Sequence, residues 1–346
     1  MDRAKIIKTF SVLGESMVKW GEKASYEAFN PYIAELFHER AEGTISVLKA
    51  FNGWFTEESV RQSLYNFGTI LTEEKLQEWV KEYPLVKSPK LVGLILPGNI
   101  PMVGFHDVLT TIFSGNKARI KLSSDDNKLI PLLLDVVVAL QPELKNQFEI
   151  VERLNDAEAI IATGSDNTAL YFEKYFGHLP NIIRKNRTSV AVLNGNESEE
   201  ELKALGKDIF YYFGLGCRNV SHLLLPKDYD LNKIFGAIVG YGDVINHHKY
   251  CNNYDYYKAI YLMNQEVIIE NGFVIFRETK ELFAPVAVLH YHFYEEKDEV
   301  EEYLKEHQDK IQVVIGKDYS PFGEAQYPQL NDYADNVDTM EFLTSL

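Results

Sequence analysis

Cysteine is scarce in this chain, which has 2 in 346 residues, Cys217 and Cys251. Two thiols are too few for a disulfide framework or for a zinc site built from four cysteines. This scarcity suits a reducing compartment, so we expect a cytoplasmic protein in which Cys251 is structural. A chain of this length can bury a large core and is expected to form two domains, or one domain with a substantial lobe.

Positive charge and long apolar runs are also scarce. The formal net charge is −16, and no cluster of Lys and Arg stands out, so nucleic-acid binding is not expected. The most apolar stretch, residues 132–140, is too short to span a bilayer and contains Asp135. Near the amino terminus Lys8 and Glu15 interrupt any signal-peptide core, and the helical spacing there predicts a packing helix. Membrane insertion is therefore not expected.

The glycine fingerprint G-x-G-x-x-G of ordinary dinucleotide-binding folds is missing as well. Instead, residues 1–88 show helical amphipathic spacing, and from Leu91 onward short apolar runs alternate with helical stretches. This alternation predicts an α/β fold with a parallel sheet that binds ligands at the carboxyl ends of its strands. Asn99, Lys121 and residues 163–165 fall at such ends, although turn chemistry alone would also explain them. The predicted strands are residues 91–96, 118–122, 148–151 and 159–162, and the helices between them are residues 100–113 and 128–140.

Cys217 stands at the end of a glycine-bracketed turn, residues 213–219 (FGLGCRN). Ser198 and Glu201 fit a capping box, which predicts a helix before the turn. Residues 220–226 fit a buried strand closed by proline. The small glycines let a substrate carbonyl approach the sulfur and leave backbone N–H groups for an oxyanion. The residues alone leave an inert buried cysteine open as the alternative.

Histidines near the thiol invite a catalytic interpretation, but their setting favours structural roles. His222 falls among the leucines of the predicted strand and is expected to be buried. His247 and His248 are expected on a surface turn, and no metal site is predicted because adjacent side chains project in different directions. For Arg218 and Asn219, capping and packing explain the residues as well as substrate contact does.

Several segments, in order along the chain, resemble motifs of the aldehyde dehydrogenase superfamily. Two further phrases are more narrowly similar to the LuxC-type acyl-CoA reductases, which make fatty aldehydes from acyl thioesters. The superfamily motifs are residues 94–101 (LILPGNIP), 114–121 (SGNKARIK), 163–165 (TGS), 214–217 (GLGC) and 281–286 (ELFAPV), and the narrower phrases are residues 176–181 (FGHLPN) and 333–340 (YADNVDTM).

The resemblance implies an α/β, aldehyde-dehydrogenase-like fold, with a parallel-sheet cofactor-binding domain and an α/β catalytic domain. Residues 1–188 are then the helical amino-terminal region and the nicotinamide-cofactor domain. Residues 189–318 are the catalytic domain, and residues 319–346 are a carboxyl-terminal segment. The catalytic residues implied are Cys217, as the thiol, and Asn99, as the oxyanion-hole asparagine. The implied cofactor-binding residues are Lys121, which contacts the adenosine ribose, Ser124, Thr163, Gly164, Ser165 and Glu281, which binds the nicotinamide ribose.

The implied activity is the reduction of an acyl thioester to an aldehyde by NADPH, through an acyl-enzyme on Cys217. The substrate is a long-chain fatty acyl-CoA or another acyl-carrier thioester. Family members selective for NAD commonly carry a glutamate three residues after the ribose lysine, and Ser124 stands there, which favours NADPH and leaves NADH open. Asp125 and Asp126 follow closely and would oppose a 2′-phosphate.

Hydrolytic members carry a water-activating glutamate within Glu-Leu-Gly-Gly-Lys. This chain aligns there as residues 191–196 (AVLNGN), with Val192 in place of the base, and a valine cannot activate water. Two other functions stay open. A cofactor-independent cysteine acyltransferase gives Lys121 and Glu281 no role, and a non-catalytic module on the same fold makes Cys217 dispensable. The oligomeric state, including a homo-oligomer, also stays open.

Overall fold

The computed structural model describes residues 2–346, which divide into two compact units. The first unit contains residues 2–185 together with Gln329–Leu346, and the second contains Asn186–Pro328. The expected boundary after residue 318 differs from the observed one because residues 319–328 pack with the second unit. Backbone N–H groups in that stretch donate to the buried Asp208 carboxylate at 2.6 and 3.0 Å.

Helices open the first unit. Thr56 and Thr72 accept hydrogen bonds from backbone N–H groups at the starts of two of them, as capping residues do. Ile6, Phe10 and Leu13 of the first helix are fully buried, so the packing helix expected at the amino terminus is confirmed. The helices are α1 (Arg3–Gly21), α2 (Pro31–Ile33), α3 (Glu39–Phe51), α4 (Glu57–Ile70) and α5 (Glu73–Val80).

A five-stranded parallel sheet forms the rest of the first unit, and its elements alternate as predicted. Its strands are β1 (Leu91–Ile95), β2 (Lys117–Lys121), β3 (Phe148–Ile150), β4 (Ala159–Thr163) and β5 (Asn181–Arg184), and the helices between them are α6 (Phe105–Ser114), α7 (Leu129–Leu140) and α8 (Asp166–Phe176). The strand order is β3-β2-β1-β4-β5. The predicted helix start at residue 100 is wrong, because Met102 has a φ of 59° that an α-helix cannot contain.

The order of this sheet reverses beside β1. From β1 the chain moves outward to β2 and β3, and it then returns to place β4 on the other side of β1. Such a reversal leaves a crevice outside the carboxyl ends of the two strands, where open α/β sheets bind ligands. The segments that follow these strands, residues 96–104 and 164–165, therefore lie at the edge where a ligand is expected.

Residues 333–340 join the end of the chain to the first unit. The buried Arg184 guanidinium donates to both carboxylate oxygens of Asp107, at 2.7 and 2.9 Å, and to the Thr339 hydroxyl at 3.2 Å. Thr339 is the first residue of α13 (Thr339–Thr344). Bidentate pairs of this kind fix orientation as well as distance, so the final helix is held against α6 and β5.

The second unit is built on a six-stranded sheet of order β11-β6-β7-β10-β9-β8, parallel except where β8 meets β9. Apolar side chains of its helices and strands form a core of its own. The strands are β6 (Thr188–Val192), β7 (Val220–Pro226), β8 (Ile268–Glu270), β9 (Ile275–Glu278), β10 (Val288–Tyr294) and β11 (Ile311–Ile315), and the helices are α9 (Glu199–Phe210), α10 (Asn232–Ile238), α11 (His248–Met263) and α12 (Lys297–Glu306).

Candidate active site

The charge beside Lys121 is the first feature of the expected cofactor site. Lys121 is exposed at the end of β2, and Ser124 and Asp125 beyond it are also exposed. Asp126 is only 2% exposed, and its carboxylate accepts a hydrogen bond from the Met102 N–H at 2.8 Å. Burial raises the pKa of Asp126 to about 6, against the lowering effect of backbone hydrogen bonds. Asp126 is therefore bound to the protein and does not present its charge beside Lys121.

The turn after β4 fits the phosphate part of a dinucleotide. Thr163 ends the strand, and the Ser165 hydroxyl accepts the Thr168 N–H at 3.3 Å to cap α8. A methyl group at Gly164 would lie 3.0 Å from Phe172 and Thr168, so glycine keeps the backbone open there. A helix start with its partial positive charge suits a phosphate. The residues present thus fit a nicotinamide dinucleotide at this edge.

Asn99 is exposed on the turn between β1 and α6, and side chains from distant segments hold this turn. The Asn52 amide donates to the Gly98 carbonyl at 3.2 Å, and the Ser63 hydroxyl donates to the Pro101 carbonyl at 2.8 Å. The buried Asp126 carboxylate, which accepts the Met102 N–H, binds the next part of the same turn. A side chain at Gly98 would come within 2.6 Å of a serine hydroxyl in the turn after β2. The two turns are therefore packed together, with fixed backbones.

In the second unit Cys217 is half-buried between α9 and β7. The predicted capping box at the start of α9 is confirmed, and the strand after the thiol runs over the expected residues. Between them Tyr212, Phe213 and Gly214 have φ values of 52°, 59° and 77°. Left-handed backbone at a non-glycine residue costs on the order of 1–2 kcal/mol, so the turn persists only because its surroundings hold it.

Asn219 is the residue that holds this turn. It is 2% exposed, and its amide nitrogen donates to the Tyr211 carbonyl at 2.6 Å while its oxygen accepts the Gly216 N–H at 2.9 Å. The Ser189 hydroxyl donates to the Cys217 carbonyl at 3.0 Å. Of the two roles that the sequence left open for Asn219, the structure shows helix capping. Its bonds place Cys217 at the amino end of β7.

Glu281 belongs to the segment that leads into β10, the parallel neighbour of β7. Its carboxylate pairs with Arg277 at 2.8 Å and is about two-thirds exposed. The Ser221 hydroxyl of β7 donates to the Leu282 carbonyl at 3.4 Å. The segment that contains Glu281 is therefore bound to β7, the strand that Cys217 precedes.

A small apolar cavity of about 20 Å³ lies between the thiol turn and this segment. It is lined by Phe213 and Gly214 of the turn, by residues 284–288, and by apolar side chains of α9 and the neighbouring strands. A volume of this size holds one water or methyl-sized group. The space beside Phe213 and Gly214 of the thiol turn is therefore narrow and lined largely by apolar side chains.

Two of the three histidines considered near the thiol, His222 and His247, are buried, and His248 is exposed. His222 is 0% exposed, as predicted. The expectation of a surface turn is wrong for His247, which is 8% exposed. Its imidazole accepts the Tyr250 N–H at 3.4 Å to cap α11, and the ring packs on Phe213 with centroids 4.3 Å apart. His247 thus supports the turn that carries the thiol.

Val192 does not lie beside the thiol. It ends β6 and pairs with Leu224, whereas Ser189 pairs with Val220 at the end of β7 that is nearest to Cys217. Four residues of strand separate the two pairs, a distance of about 13 Å. Because β6 and β7 are parallel, Val192 and Cys217 lie towards opposite edges of the sheet. The interpretation of Val192 as the replaced base is therefore wrong, since local sequence similarity did not fix the strand register.

Sequence reasoning missed the buried polar side chains that hold the two sites. Asn52, which directly follows α3, and Ser63 of α4 carry no local signal, because they lie far along the chain from the turn that they bind. Asp126 looked like an exposed acid. His290 and His292 did carry a signal, since they alternate within an apolar strand and so share one face of it.

Solved aldehyde dehydrogenases have the same fold at low identity. Aldehyde dehydrogenase 21 from Physcomitrella patens, determined with its reaction product succinate, matches with a TM-score of 0.62 at 13% identity, over 92% of this chain and 74% of that chain. An aldehyde dehydrogenase from Mycobacterium tuberculosis, determined with NAD+, matches with a TM-score of 0.62 at 10% identity, over 91% of this chain and 73% of that chain. A mutant of aldehyde dehydrogenase C from Pseudomonas syringae, determined with NAD+ and octanal, matches with a TM-score of 0.60 at 10% identity, over 90% of this chain and 71% of that chain. The expected aldehyde-dehydrogenase-like α/β fold is confirmed.

The family follows from the sequence profile of the acyl-CoA reductase (LuxC) family, which matches residues 19–233, more than half of the chain. The chain therefore belongs to that family and is an aldehyde-forming oxidoreductase, and both resemblances seen in the sequence are confirmed. A comparison with curated proteins gives no significant match. Within residues 2–346 no helix has the length and apolarity to cross a membrane, and no group of three or more His, Cys, Asp or Glu side chains could hold a metal ion.

Proposed function

We propose that this chain reduces a long-chain acyl-CoA, or a related acyl-carrier thioester, to the aldehyde with NADPH. The observation that carries the proposal is the thiol turn, in which Asn219 and Ser189 hold Cys217 at the amino end of β7. Apolar side chains beside Phe213 and Gly214 of this turn agree with an acyl substrate.

In the proposed first step the Cys217 sulfur, as the thiolate, attacks the thioester carbonyl carbon. A new carbon–sulfur bond forms, the bond to the carrier sulfur breaks, and the carrier leaves as a thiolate that takes up a proton. The Asn99 amide and the Cys217 backbone N–H are the proposed donors to the oxyanion. Since one thioester replaces another, the residues supply orientation and charge stabilisation, and no net driving force is needed.

The cofactor residues of the proposal are Lys121 for the adenosine ribose, residues 163–165 for the pyrophosphate and Glu281 for the nicotinamide ribose. When bound, a reduced nicotinamide would supply the hydride that takes the acyl carbon to the aldehyde level. The carbon–sulfur bond to Cys217 then breaks, which releases the aldehyde and returns the Cys217 thiolate. We prefer NADPH because Ser124 is neutral and the Asp126 carboxylate is buried. Of residues 124–126, Asp125 alone then presents an exposed acid near Lys121. Lys121 is then able to pair with a 2′-phosphate.

The experiment is to load the protein with palmitoyl-CoA in the absence of reduced cofactor and to measure its intact mass. We expect an added acyl group that disappears when NADPH is added, with formation of the aldehyde. Cys217→Ala removes a single sulfur from a glycine-rich turn and is expected to fold, to carry no adduct and to form no aldehyde. Cys251→Ala is the matched control, and it keeps both the adduct and the reduction.

The other outcomes identify other functions. An adduct that passes to a second thiol without consumption of NADPH indicates a cysteine acyltransferase. Rapid release of free fatty acid indicates a hydrolase with a water-activating base. Normal aldehyde formation by Cys217→Ala removes the covalent mechanism. A panel of acyl-CoAs from acetyl to palmitoyl then tests the chain length, with faster loading expected for the longer chains.

A further inference from the structure

One backbone carbonyl in the second unit accepts hydrogen bonds from two buried histidines. The Glu281 carbonyl oxygen lies 3.0 Å from the Nδ1 atom of His222 and 2.9 Å from the Nδ1 atom of His290. The two histidines pair in register on the neighbouring strands β7 and β10, and they are 0% and 1% exposed. Both lone pairs of this carbonyl are therefore used, in a segment that has no regular secondary structure of its own.

The contacts fix the protonation of the histidines. Because a carbonyl can only accept, His222 and His290 must each carry a proton on Nδ1. The Nε2 atom of His222 lies 2.7 Å from Nδ1 of His292, which then donates to it. Burial, and for His222 also the neighbouring His292, lowers the pKa of His222 to about 3, and burial lowers the pKa of His292 to about 4. At neutral pH the network has one arrangement, with neutral rings protonated on Nδ1.

The carbonyls on either side of Glu281 are also bound. The Tyr303 hydroxyl of α12 donates to the Lys280 carbonyl at 3.2 Å, and the Ser221 hydroxyl of β7 donates to the Leu282 carbonyl at 3.4 Å. Three consecutive peptide groups are thus fixed by side chains, while the Glu281 carboxylate itself remains largely exposed. A rigid backbone beneath an exposed functional group is the arrangement that a pre-organised binding residue needs.

Packing alone does not account for His290. The Nε2 atom of His290 is buried and has no hydrogen-bond partner among residues 2–346. A buried polar atom without a partner costs about 1–3 kcal/mol, a cost that leucine at this position would avoid. Histidine has an Nδ1–H group that donates a hydrogen bond to the Glu281 carbonyl, and leucine has no such donor.

We propose that His290 and His222 are positioning residues, which hold the main chain of Glu281 so that its carboxylate meets the ribose of the nicotinamide cofactor. This proposal rests on the proposed function, because the cofactor role of Glu281 is part of it. Neither histidine touches the reacting atoms. Both act through one peptide group, so the loss of their donors lowers cofactor binding more than turnover.

Two substitutions at His290 separate the donor from the packing. His290→Leu keeps an apolar group of similar size and removes the donor, and we expect the KM for NADPH to rise about tenfold with a much smaller change in kcat. His290→Asn places an amide N–H near the former Nδ1, and the ring atoms that it removes include the Nε2 that had no partner. It is expected to restore the KM to within about threefold of the wild-type value. An equal KM in the leucine and asparagine variants overturns the proposal.

A double-mutant cycle with Glu281→Gln tests whether the histidine acts through Glu281. We expect Glu281→Gln to raise the KM for NADPH, and His290→Leu in that background to raise it by less than about twofold more. If His290 only stabilised the fold, the two substitutions would act independently, and the fold-changes in KM would multiply in the double variant. If Glu281→Gln raises the KM and His290→Leu does not, positioning by His290 is overturned while the cofactor role of Glu281 stands.

If Glu281→Gln leaves the KM unchanged, the positioning proposal falls together with the cofactor role of Glu281. The thiol chemistry is judged separately, from the mass of the Cys217 adduct. Should His290→Leu fail to fold, His290→Phe decides, because it removes the Nδ1 donor to the Glu281 carbonyl and keeps an aromatic ring. A rise in KM of about threefold supports the proposal, and an unchanged KM overturns it.

Discussion

Charge at one residue, Ser124, is expected to decide which nicotinamide cofactor binds. Ser124 is exposed beyond Lys121, and Asp126 is removed from the surface by its bond to the Met102 N–H at 2.8 Å. Wild-type protein is therefore expected to bind NADPH more tightly than NADH. In Ser124→Glu a carboxylate beside the 2′-phosphate is expected to weaken NADPH binding by tenfold or more, about 1.4 kcal/mol, and to change NADH binding little.

Fluorescence titration of the two reduced cofactors measures this preference. Ser124→Gln is the matched control, because it adds the same bulk without charge and is expected to keep the preference for NADPH. Tighter binding of NADH by the wild-type protein contradicts the prediction. Equal losses in the glutamate and glutamine variants would show that bulk, and not charge, acts at this position.

Single residues of the two candidate sites were predictable where a local pattern carries them. Cys217 stands in a glycine-rich turn, and the capping box of Ser198 and Glu201 predicts the helix before it. Asp126 and His290 were not predictable as supports, because their partners lie far along the chain or in another strand. The interpretation of Val192 as the replaced base was wrong for the same reason, since strand register depends on pairing and not on local sequence.

At the scale of elements, α1 and α4 cross at glycines that let their backbones touch. A methyl group built on Gly68 would lie 2.7 Å from the Gly14 carbonyl oxygen and 2.7 Å from the Val18 nitrogen, so the two helices would have to separate. Alanine usually stabilises a helix relative to glycine by roughly 0.5–1 kcal/mol. Here overpacking wins, and we expect Gly68→Ala to lower the free energy of unfolding by about 1–3 kcal/mol.

Gly43 of α3 provides the control, because a methyl group there would have no neighbour within 4 Å. Gly43→Ala should leave the free energy of unfolding unchanged or raise it by up to about 1 kcal/mol. Urea denaturation of the two variants measures both effects under the same conditions. If Gly68→Ala is as stable as Gly43→Ala, the close approach of the two helices is wrong.

Four of the five strands in the first sheet were predictable from short apolar runs, whereas β5 was not predicted. The errors at helix ends fall where the backbone turns left-handed. Helix α6 starts after Met102, and α9 stops before Tyr212, although the apolar spacing continues past both residues. Such φ values are imposed by tertiary hydrogen bonds, which no local pattern contains. The order of strands in the second sheet, with β11 beside β6, is likewise set by packing.

At the scale of the whole molecule, buried ionisable groups set the dependence of stability on pH, and in the second unit they act in opposite directions. His222 and His292 have pKa values lowered to about 3 and about 4, first of all by burial. Unfolded histidines take up protons near pH 6.5, so acidification from pH 6.5 towards pH 4 favours the unfolded chain. Burial raises the pKa of Asp208 to about 7, so the folded state binds the extra proton between pH 4 and 7, and acidification stabilises it.

Two variants separate these opposing contributions in the second unit. His292→Phe keeps a ring against Tyr303, whose centroid lies 4.7 Å away, and removes a group that must stay neutral. We expect its stability to fall less steeply than that of wild type between pH 6.5 and 4, by up to about 1.4 kcal/mol per pH unit. Asp208→Asn is expected to fall more steeply, because the carboxyl group that gains a proton is gone. Hydrogen exchange of core amides in residues 186–328 measures both slopes, and slopes that change in the same direction would contradict the assignment of the two groups.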